Sequence, residues 1–310
     1  MLKVNTANNA PGGKRTTLSI KQIRSRNSMT PYMFLLPATI AMLLVFFYPM
    51  LNGIYTSFTH YNQYSDTTRL VGLENYLKVV LDASFWNSMQ RSLIWVVCSV
   101  LGQFIVGFAF ALLLNERWPG NRIMRAIVLI PWVMPGVSIA LGWSLIYNGQ
   151  FGLMNDVLGG LGLPHADWLA DPNLAMLAVI IANIWKAFPF VTVTMLAGLA
   201  AIPDDLYDAA RVDGASVFGR FRYVTLPHLK NIISIVVLLM IVWTFNYFDL
   251  VYVLTQGGPA RGTEIAPILV ARFAFQQFDY GLAASVAIIM TLFNIIFAIL
   301  YIYILRRTEA

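Results

Sequence analysis

The sequence predicts an all-α polytopic membrane protein with six transmembrane helices and with both termini in the cytoplasm. Hydrophobic residues make up 58% of its 310 residues and charged residues only 12%, which is too apolar for the surface of a soluble protein of this length. Six runs are long enough to cross a bilayer core, which takes about 20 apolar residues per helix. They cover residues 32–52, 92–114, 124–147, 173–196, 231–254 and 281–305.

The distribution of lysine and arginine predicts which side of the membrane each loop faces. Fifteen of the 21 lie in the N-terminal tail, in the loops after the second and fourth runs and at the C-terminus, while five lie in the other loops. Basic residues favour the cytoplasmic side. We therefore expect residues 1–30 to form a basic cytoplasmic tail and residues 31–310 to form a transmembrane domain with cytoplasmic helices at 203–227. The net charge of +6 indicates orientation and not a nucleic-acid partner.

Prolines inside two of the runs predict bent helices. Pro131 and Pro135 lie four residues apart in the third run, where we interpret the bend as a packing kink. Pro189 lies near the middle of the fourth run. Because proline removes a backbone donor from a helix, we expect a kink at each place.

Two polar residues near the middle of the fourth run are candidates for a transport pathway. A lysine at the bilayer centre costs on the order of 2.5–3.5 kcal/mol, so Lys186 and its neighbour Asn183 are expected to face a cavity or a partner. The alternative for Lys186 is that it snorkels or pairs with a buried acid.

The fifth run carries a face of aromatic and polar side chains. The face has the i, i+3, i+4, i+7 spacing of a helix and consists of Met240, Trp243, Thr244 and Tyr247. In a continuous helix Asp249 would lie about 9 Å along the axis from Trp243, toward the outer end. Aromatic rings stack on the apolar faces of a pyranose and polar groups bind its hydroxyls, so this face suits a sugar. Helix-to-helix packing is the alternative.

The polar segment between the fourth and fifth runs predicts two short helices. Pro203 and Asp204 begin the first helix, Gly214 ends it, Ser216 caps the second, and Pro227 ends the segment. Such an element buries little surface by itself. Its alanine and phenylalanine side chains between charged flanks indicate docking into the groove of a partner protein.

This segment resembles the coupling motif of binding-protein-dependent ABC importer permeases. That motif is Glu-Ala-Ala, three residues, Gly, nine residues and Ile-x-Leu-Pro; here Asp208 replaces the glutamate and Val224 the isoleucine. Four further stretches, GLENY, LIPWVMP, NIWKAFPF and TFNYFDLVYVLTQGGP, are similar to the sugar-importer branch and occur in its order. The chain is similar to the maltose-type and glycerol-phosphate-type first permease subunit. The resemblance implies the type I ABC importer permease fold.

The resemblance also implies the partners and the location. They are a second homologous permease, a dimer of ATP-hydrolysing subunits and an external solute-binding protein, in the bacterial cytoplasmic membrane. ATP is then bound by the partner subunits, so no cofactor and no catalysis is expected in this chain. The residues implied to contact the ATPase are Asp208, Ala209, Ala210, Gly214, Phe218, Leu226 and Pro227.

Positions that bind sugar in the maltose permease map onto two of the runs. They are Asn183, Lys186, Ala187 and Phe190 in the fourth run, and Met240, Trp243, Thr244 and Tyr247 in the fifth. Only Asn183 keeps the maltose-type residue. The substrate therefore stays open between a neutral disaccharide or oligosaccharide, a polyol and an acidic sugar derivative, with Lys186 serving a hydroxyl or an anionic group.

Three other function classes fit the sequence less well. A secondary transporter driven by an ion gradient predicts acids in the middle of the membrane, and the nearest candidate is Asp249 toward the outer end. A membrane enzyme predicts clustered reactive side chains, whereas His60, His165 and His228 fall in loops or at the ends of runs. A channel predicts a filter loop, and none is recognised.

Overall fold

A computed structural model describes residues 30–62, 68–116 and 118–309. The predicted basic tail lies outside these residues except for Thr30. The chain divides into two units, residues 1–53 and 54–310. In the first unit, α1 (Thr30–Met42) continues through a π-helical turn (Leu43–Phe47) into α2 (Tyr48–Ser57), whose last residues belong to the second unit.

The second unit is built mainly from helices. It contains one short antiparallel pair, β1 (Thr59–His60) with β2 (Arg69–Leu70). The helices are α3 (Glu74–Leu81), α4 (Ala83–Asn115), α5 (Asn121–Val133), α6 (Gly136–Ile146), α7 (Leu153–Gly160), α8 (Pro172–Ala200), α9 (Asp204–Val212), α10 (Val217–Arg220), α11 (Leu226–Phe245), α12 (Asp249–Thr255), α13 (Ala266–Ala271) and α14 (Tyr280–Glu309).

Among the described residues, five helices are long and apolar enough to span a membrane, and the pair α5–α6 makes a sixth if it is counted as one span. With that pair counted as one span, the prediction of six spans is confirmed. The predicted kink in the third run is a break: α5 and α6 meet at 97°. Met134 is extended, because the residue before a proline is pushed out of the helical region, and Pro135 is also non-helical with ψ 138°. Pro131, in contrast, lies inside α5. Likewise, α8 is one helix through Pro189.

The predicted boundaries of the fifth run are wrong at both ends. The helix begins at Val217, passes through a π-helical turn (Phe221–Thr225) and ends at Phe245. Pro227 therefore does not separate the segment 203–227 from the helix of the fifth run, as was predicted. Proline cannot donate to the carbonyl four residues back and its ring crowds that carbonyl, and the widened turn just before it accommodates both effects. At the other end Asn246 leaves the helical conformation, and α12 begins at Asp249.

The core of the second unit lies where α4, α8 and α11 pack together. Gly107 lets α4 approach α8 closely, since a Cβ at this position would lie 2.5 Å from Cβ of Val191 and 2.6 Å from the Phe188 carbonyl oxygen. The Thr192 hydroxyl donates to the Gly107 carbonyl over 3.0 Å across the same contact. This packing fixes the position of α8 relative to α4.

A buried ion pair holds the segment between α12 and α14. Nε of Arg272 lies 2.9 Å from Oε2 of Glu264, and the two side chains are only 13% and 4% exposed. The Ser88 hydroxyl of α4 donates to the other oxygen of Glu264 over 3.2 Å. The segment is thereby tied to the N-terminal part of α4.

Candidate functional site

A cavity of about 380 Å³ lies between the core helices of the second unit. Its walls come from α4, α5, α8 and α11 and from the turn after α11. All eight residues predicted to bind substrate line it, namely Asn183, Lys186, Ala187, Phe190, Met240, Trp243, Thr244 and Tyr247. Four lining residues were not predicted: Gln103, Trp132, Val242 and Asn246.

The α8 wall is the face predicted from the fourth run. Asn183 is buried and Lys186 is partly buried. Nζ of Lys186 lies 5.7 Å from the centroid of the Tyr247 ring, which places the cation over an aromatic face. Within the described part of the chain no carboxylate lies within 4.0 Å of this ammonium group. The structure thus places the lysine at the cavity wall and not in a buried ion pair.

The α11 wall differs from the predicted helical face. Met240 and Thr244 are buried and Trp243 is half exposed, all within α11, but Tyr247 follows the end of the helix. Tyr247 reaches the cavity from the turn instead. A Cβ built on Gly136 would lie 2.9 Å from the Tyr247 hydroxyl and 3.3 Å from Oδ2 of Asp249. Asp249 therefore lies at the break between α5 and α6 and not on an extension of α11.

Three aromatic rings form an apolar part of the cavity wall. The centroids of Phe190 and Trp243 are 4.9 Å apart in a T-shaped arrangement. Those of Trp132 and Phe190 are 5.9 Å apart. Trp132 was missed because the third run was interpreted as a packing kink, although a tryptophan between two prolines was the available signal. The three rings offer flat apolar surface of the kind that a sugar ring covers.

Polar atoms in the same wall lack partners. Three residues that line the cavity each have a buried side-chain atom with no hydrogen-bond partner among the described residues: Oε1 of Gln103, Nδ2 of Asn183 and the hydroxyl of Tyr247. Buried polar groups normally have partners. The cavity therefore combines aromatic surface with unused donors and acceptors, which is the chemistry that a polyhydroxylated ligand requires.

The segment 203–227 forms one separate short helix, α9, as predicted. The second predicted helix, α10, is the first part of the continuous helix from Val217 to Phe245. Gly214 follows α9 with φ +76°, and the Ser216 hydroxyl accepts from the Gly219 amide over 3.1 Å at the start of α10. The Tyr207 and Thr225 hydroxyls are 3.0 Å apart and tie α9 to the turn before α11. The exposed side chains include Val212, Val217 and Phe218, of which Phe218 is 72% exposed.

The seven residues predicted to contact the ATPase lie on α9, α10, the turn between them and the start of α11. Asp208, Ala209 and Ala210 lie on α9, Gly214 in the turn, Phe218 on α10, and Leu226 and Pro227 at the start of α11. Asp208 accepts from Arg211 within α9 over 2.5 Å. The segment thus exposes apolar side chains, and hydrogen bonds within it hold its helices and turn in place.

The sequence from 103 to 310 matches the family model described as the binding-protein-dependent transport system inner membrane component. The chain belongs to this family. The family is a transport component of the inner membrane, so the predicted class of transport permease is confirmed.

Comparisons with individual permeases agree with the family. The chain is 37% identical to the trehalose/maltose transport system permease protein MalF of Thermococcus litoralis, over 92% of this chain and 96% of that protein. It is 32% identical to the sulfoquinovosyl glycerol transport system permease protein SmoG of Agrobacterium fabrum, over 89% and 90%.

A solved structure confirms the fold. The chain matches one from a bacterial alginate ABC transporter in complex with an alginate pentasaccharide-bound periplasmic protein. The TM-score is 0.79 at 22% identity, and the match covers 90% of this chain and 94% of the other. The type I ABC importer permease fold predicted from the sequence is therefore confirmed.

Proposed function

We propose that this permease forms one half of the translocation pathway of an ATP-driven importer for a sugar or sugar derivative. The observation that carries the proposal is the cavity, where the eight predicted binding residues meet and aromatic surface adjoins unpartnered polar atoms. The names of the two relatives, which are permeases for trehalose or maltose and for sulfoquinovosyl glycerol, support a carbohydrate substrate.

The same proposal includes the partners and the orientation. A second homologous permease completes the pathway, and two ATPase subunits dock on the segment 203–227 and bind the ATP, so this chain needs no cofactor. A solute-binding protein delivers the sugar from outside, as the periplasmic protein in the alginate transporter complex suggests. The excess of basic residues supports cytoplasmic termini.

The position of Lys186 bears on whether the transported sugar is neutral or anionic. Its ammonium group lies at the cavity wall without a carboxylate at ion-pair distance among the described residues, so it is available to a substrate hydroxyl or to an anionic group. A panel that separates these cases contains maltose and trehalose as neutral sugars and sulfoquinovosyl glycerol and an alginate oligosaccharide as acidic ones.

Replacing Trp243 with alanine is expected to raise the KM for uptake of the transported sugar of this panel about tenfold, since a tryptophan at the centre of a binding site is commonly worth more than 1.4 kcal/mol. Trp243 is half exposed, lines the cavity and packs edge-on against Phe190. The measurement is uptake of radiolabelled sugar by proteoliposomes containing the complete complex.

Trp185→Ala is the matched control. Trp185 lies on α8 next to Lys186 but packs edge-on against Trp143, with centroids 5.9 Å apart, and does not line the cavity. Its removal is expected to leave the KM within about twofold of wild type, because surface changes away from a site have small effects. Equal effects of the two substitutions would argue against the cavity as the binding site.

A further inference from the structure

Gln103 is a buried amide on the cavity wall, in a helix to which no binding residue was assigned. It lies in α4, is 1% exposed and lies one turn before Gly107, where α4 packs closely against α8. Its Nε2 donates to the Asn183 carbonyl over 3.3 Å. A carbonyl can only accept, so this bond fixes which end of the amide is nitrogen and leaves the oxygen directed elsewhere.

The amide oxygen of Gln103 is an unused acceptor. This oxygen is buried and has no hydrogen-bond partner among the described residues, and Gln103 is one of the residues that line the cavity. Nδ2 of Asn183, a residue that is 3% exposed, is an unused donor in the same wall. A hydroxyl group is both donor and acceptor, so the hydroxyls of one sugar ring can satisfy both atoms, whereas an apolar ligand would leave both unpaired.

We propose that Gln103 is a substrate-contacting and specificity-determining residue whose Oε1 accepts a hydrogen bond from a substrate hydroxyl. Asn183 donates through Nδ2 to an oxygen of the same sugar. This subsite rests on the proposed function and adds a third helix, α4, to the two helices that carry the predicted residues. A site built to bond a hydroxyl rejects analogues that lack it, because its own buried group is then left unpaired.

The test uses the complete complex in proteoliposomes with Gln103→Met, which keeps the length of the side chain and removes both polar atoms. The probe is the sugar of the panel that wild type transports best, together with the set of its monodeoxy analogues. We expect Gln103→Met to raise the KM for the parent sugar about tenfold with little change in kcat, as for the loss of one buried hydrogen bond. For the one analogue that lacks the bonded hydroxyl, the KM of the variant is expected to be no higher than that of wild type, because only wild type leaves a buried acceptor unpaired.

Ser99→Ala is the control for a merely structural effect. Ser99 lies one turn before Gln103 on the same helix, is buried and also has a hydroxyl without a partner among the described residues, but it does not line the cavity. It is expected to transport like wild type. If Gln103→Met fails to assemble, Gln103→Asn, which keeps the amide on a shorter stem, is compared with the same analogues.

The outcomes separate this inference from the proposed function. If no sugar of the panel is transported by wild type, the proposed function fails and the subsite fails with it. If wild type transports a sugar but the Gln103 variants keep its KM, the subsite alone is wrong. It is equally wrong if the variants discriminate among the deoxy analogues as wild type does, since their loss then has a structural origin.

Discussion

Replacing Phe218 with aspartate is expected to lower sugar-stimulated ATP hydrolysis by the complete complex at least about 30-fold, the factor that corresponds to an interface residue worth 2 kcal/mol. Phe218 is 72% exposed on α10, so its substitution leaves the core of this chain unchanged. The proposed occupant of this surface is an ATPase subunit. A carboxylate in place of the aromatic ring would be desolvated there without a partner. Phosphate release in proteoliposomes and the amount of ATPase subunit that copurifies with this chain are the two measurements.

Phe218→Leu is the conservative counterpart. It keeps an apolar side chain at the same place and is expected to retain activity within a factor of about three, since changes between apolar side chains of similar volume are tolerated best. Wild-type hydrolysis and copurification in the Phe218→Asp complex would contradict docking of the ATPase on this helix. Loss in both variants would point to a requirement specific to the ring.

Replacing Glu264 with glutamine is expected to lower the stability of the protein by about 3–5 kcal/mol, the usual cost of breaking a buried ion pair from one side. Glutamine preserves the shape of the side chain but leaves the guanidinium of Arg272 buried without its carboxylate, 2.9 Å away in the native protein. The bond from Ser88 provides no charge to replace it. The melting temperature of the purified complex, followed by tryptophan fluorescence, is expected to fall by several degrees.

Glu74→Gln is the control for this prediction. Glu74 pairs with Lys78 on α3 over 2.8 Å, but both side chains are about half exposed. The hydrogen bond and the charge of Lys78 lower the pKa of the Glu74 carboxyl, although solvent screens this interaction. No measurable change of the melting temperature is expected. Equal shifts for the two variants would show that burial does not decide the contribution of these pairs.

The sequence predicted the number of spans because hydropathy measures how much apolar chain is available. It did not predict the breaks at Met134 and Asn246, because hydropathy does not register a change of backbone direction inside an apolar run. Pro135 gave a signal for the first break, and its size, 97°, depends on how α5 and α6 pack. At Asn246 nothing local distinguishes a helix end from a polar residue in a longer helix.

The site was predicted residue by residue from resemblance, and the structure brings those residues to one cavity. Tyr247 lines this cavity, but the predicted helical face was wrong for it, since it follows the end of α11. Gln103 and Trp132 were missed because they belong to other helices. Their contribution depends on the close approach of α4 to α8 at Gly107 and on the break after α5, and both are tertiary features.

The most direct test of the account is the ATPase activity of the wild-type complex in proteoliposomes, with and without its solute-binding protein, across the four sugars of the panel. The account predicts that at least one sugar stimulates hydrolysis and that the stimulation requires the binding protein. In vesicles whose cytoplasmic face points outward, the same sugar, supplied in the lumen together with the binding protein, is expected to leave the lumen when ATP is added outside. The stimulation of ATP hydrolysis and the transport are expected to show the same sugar preference. Hydrolysis that no sugar alters would contradict a role in carbohydrate import.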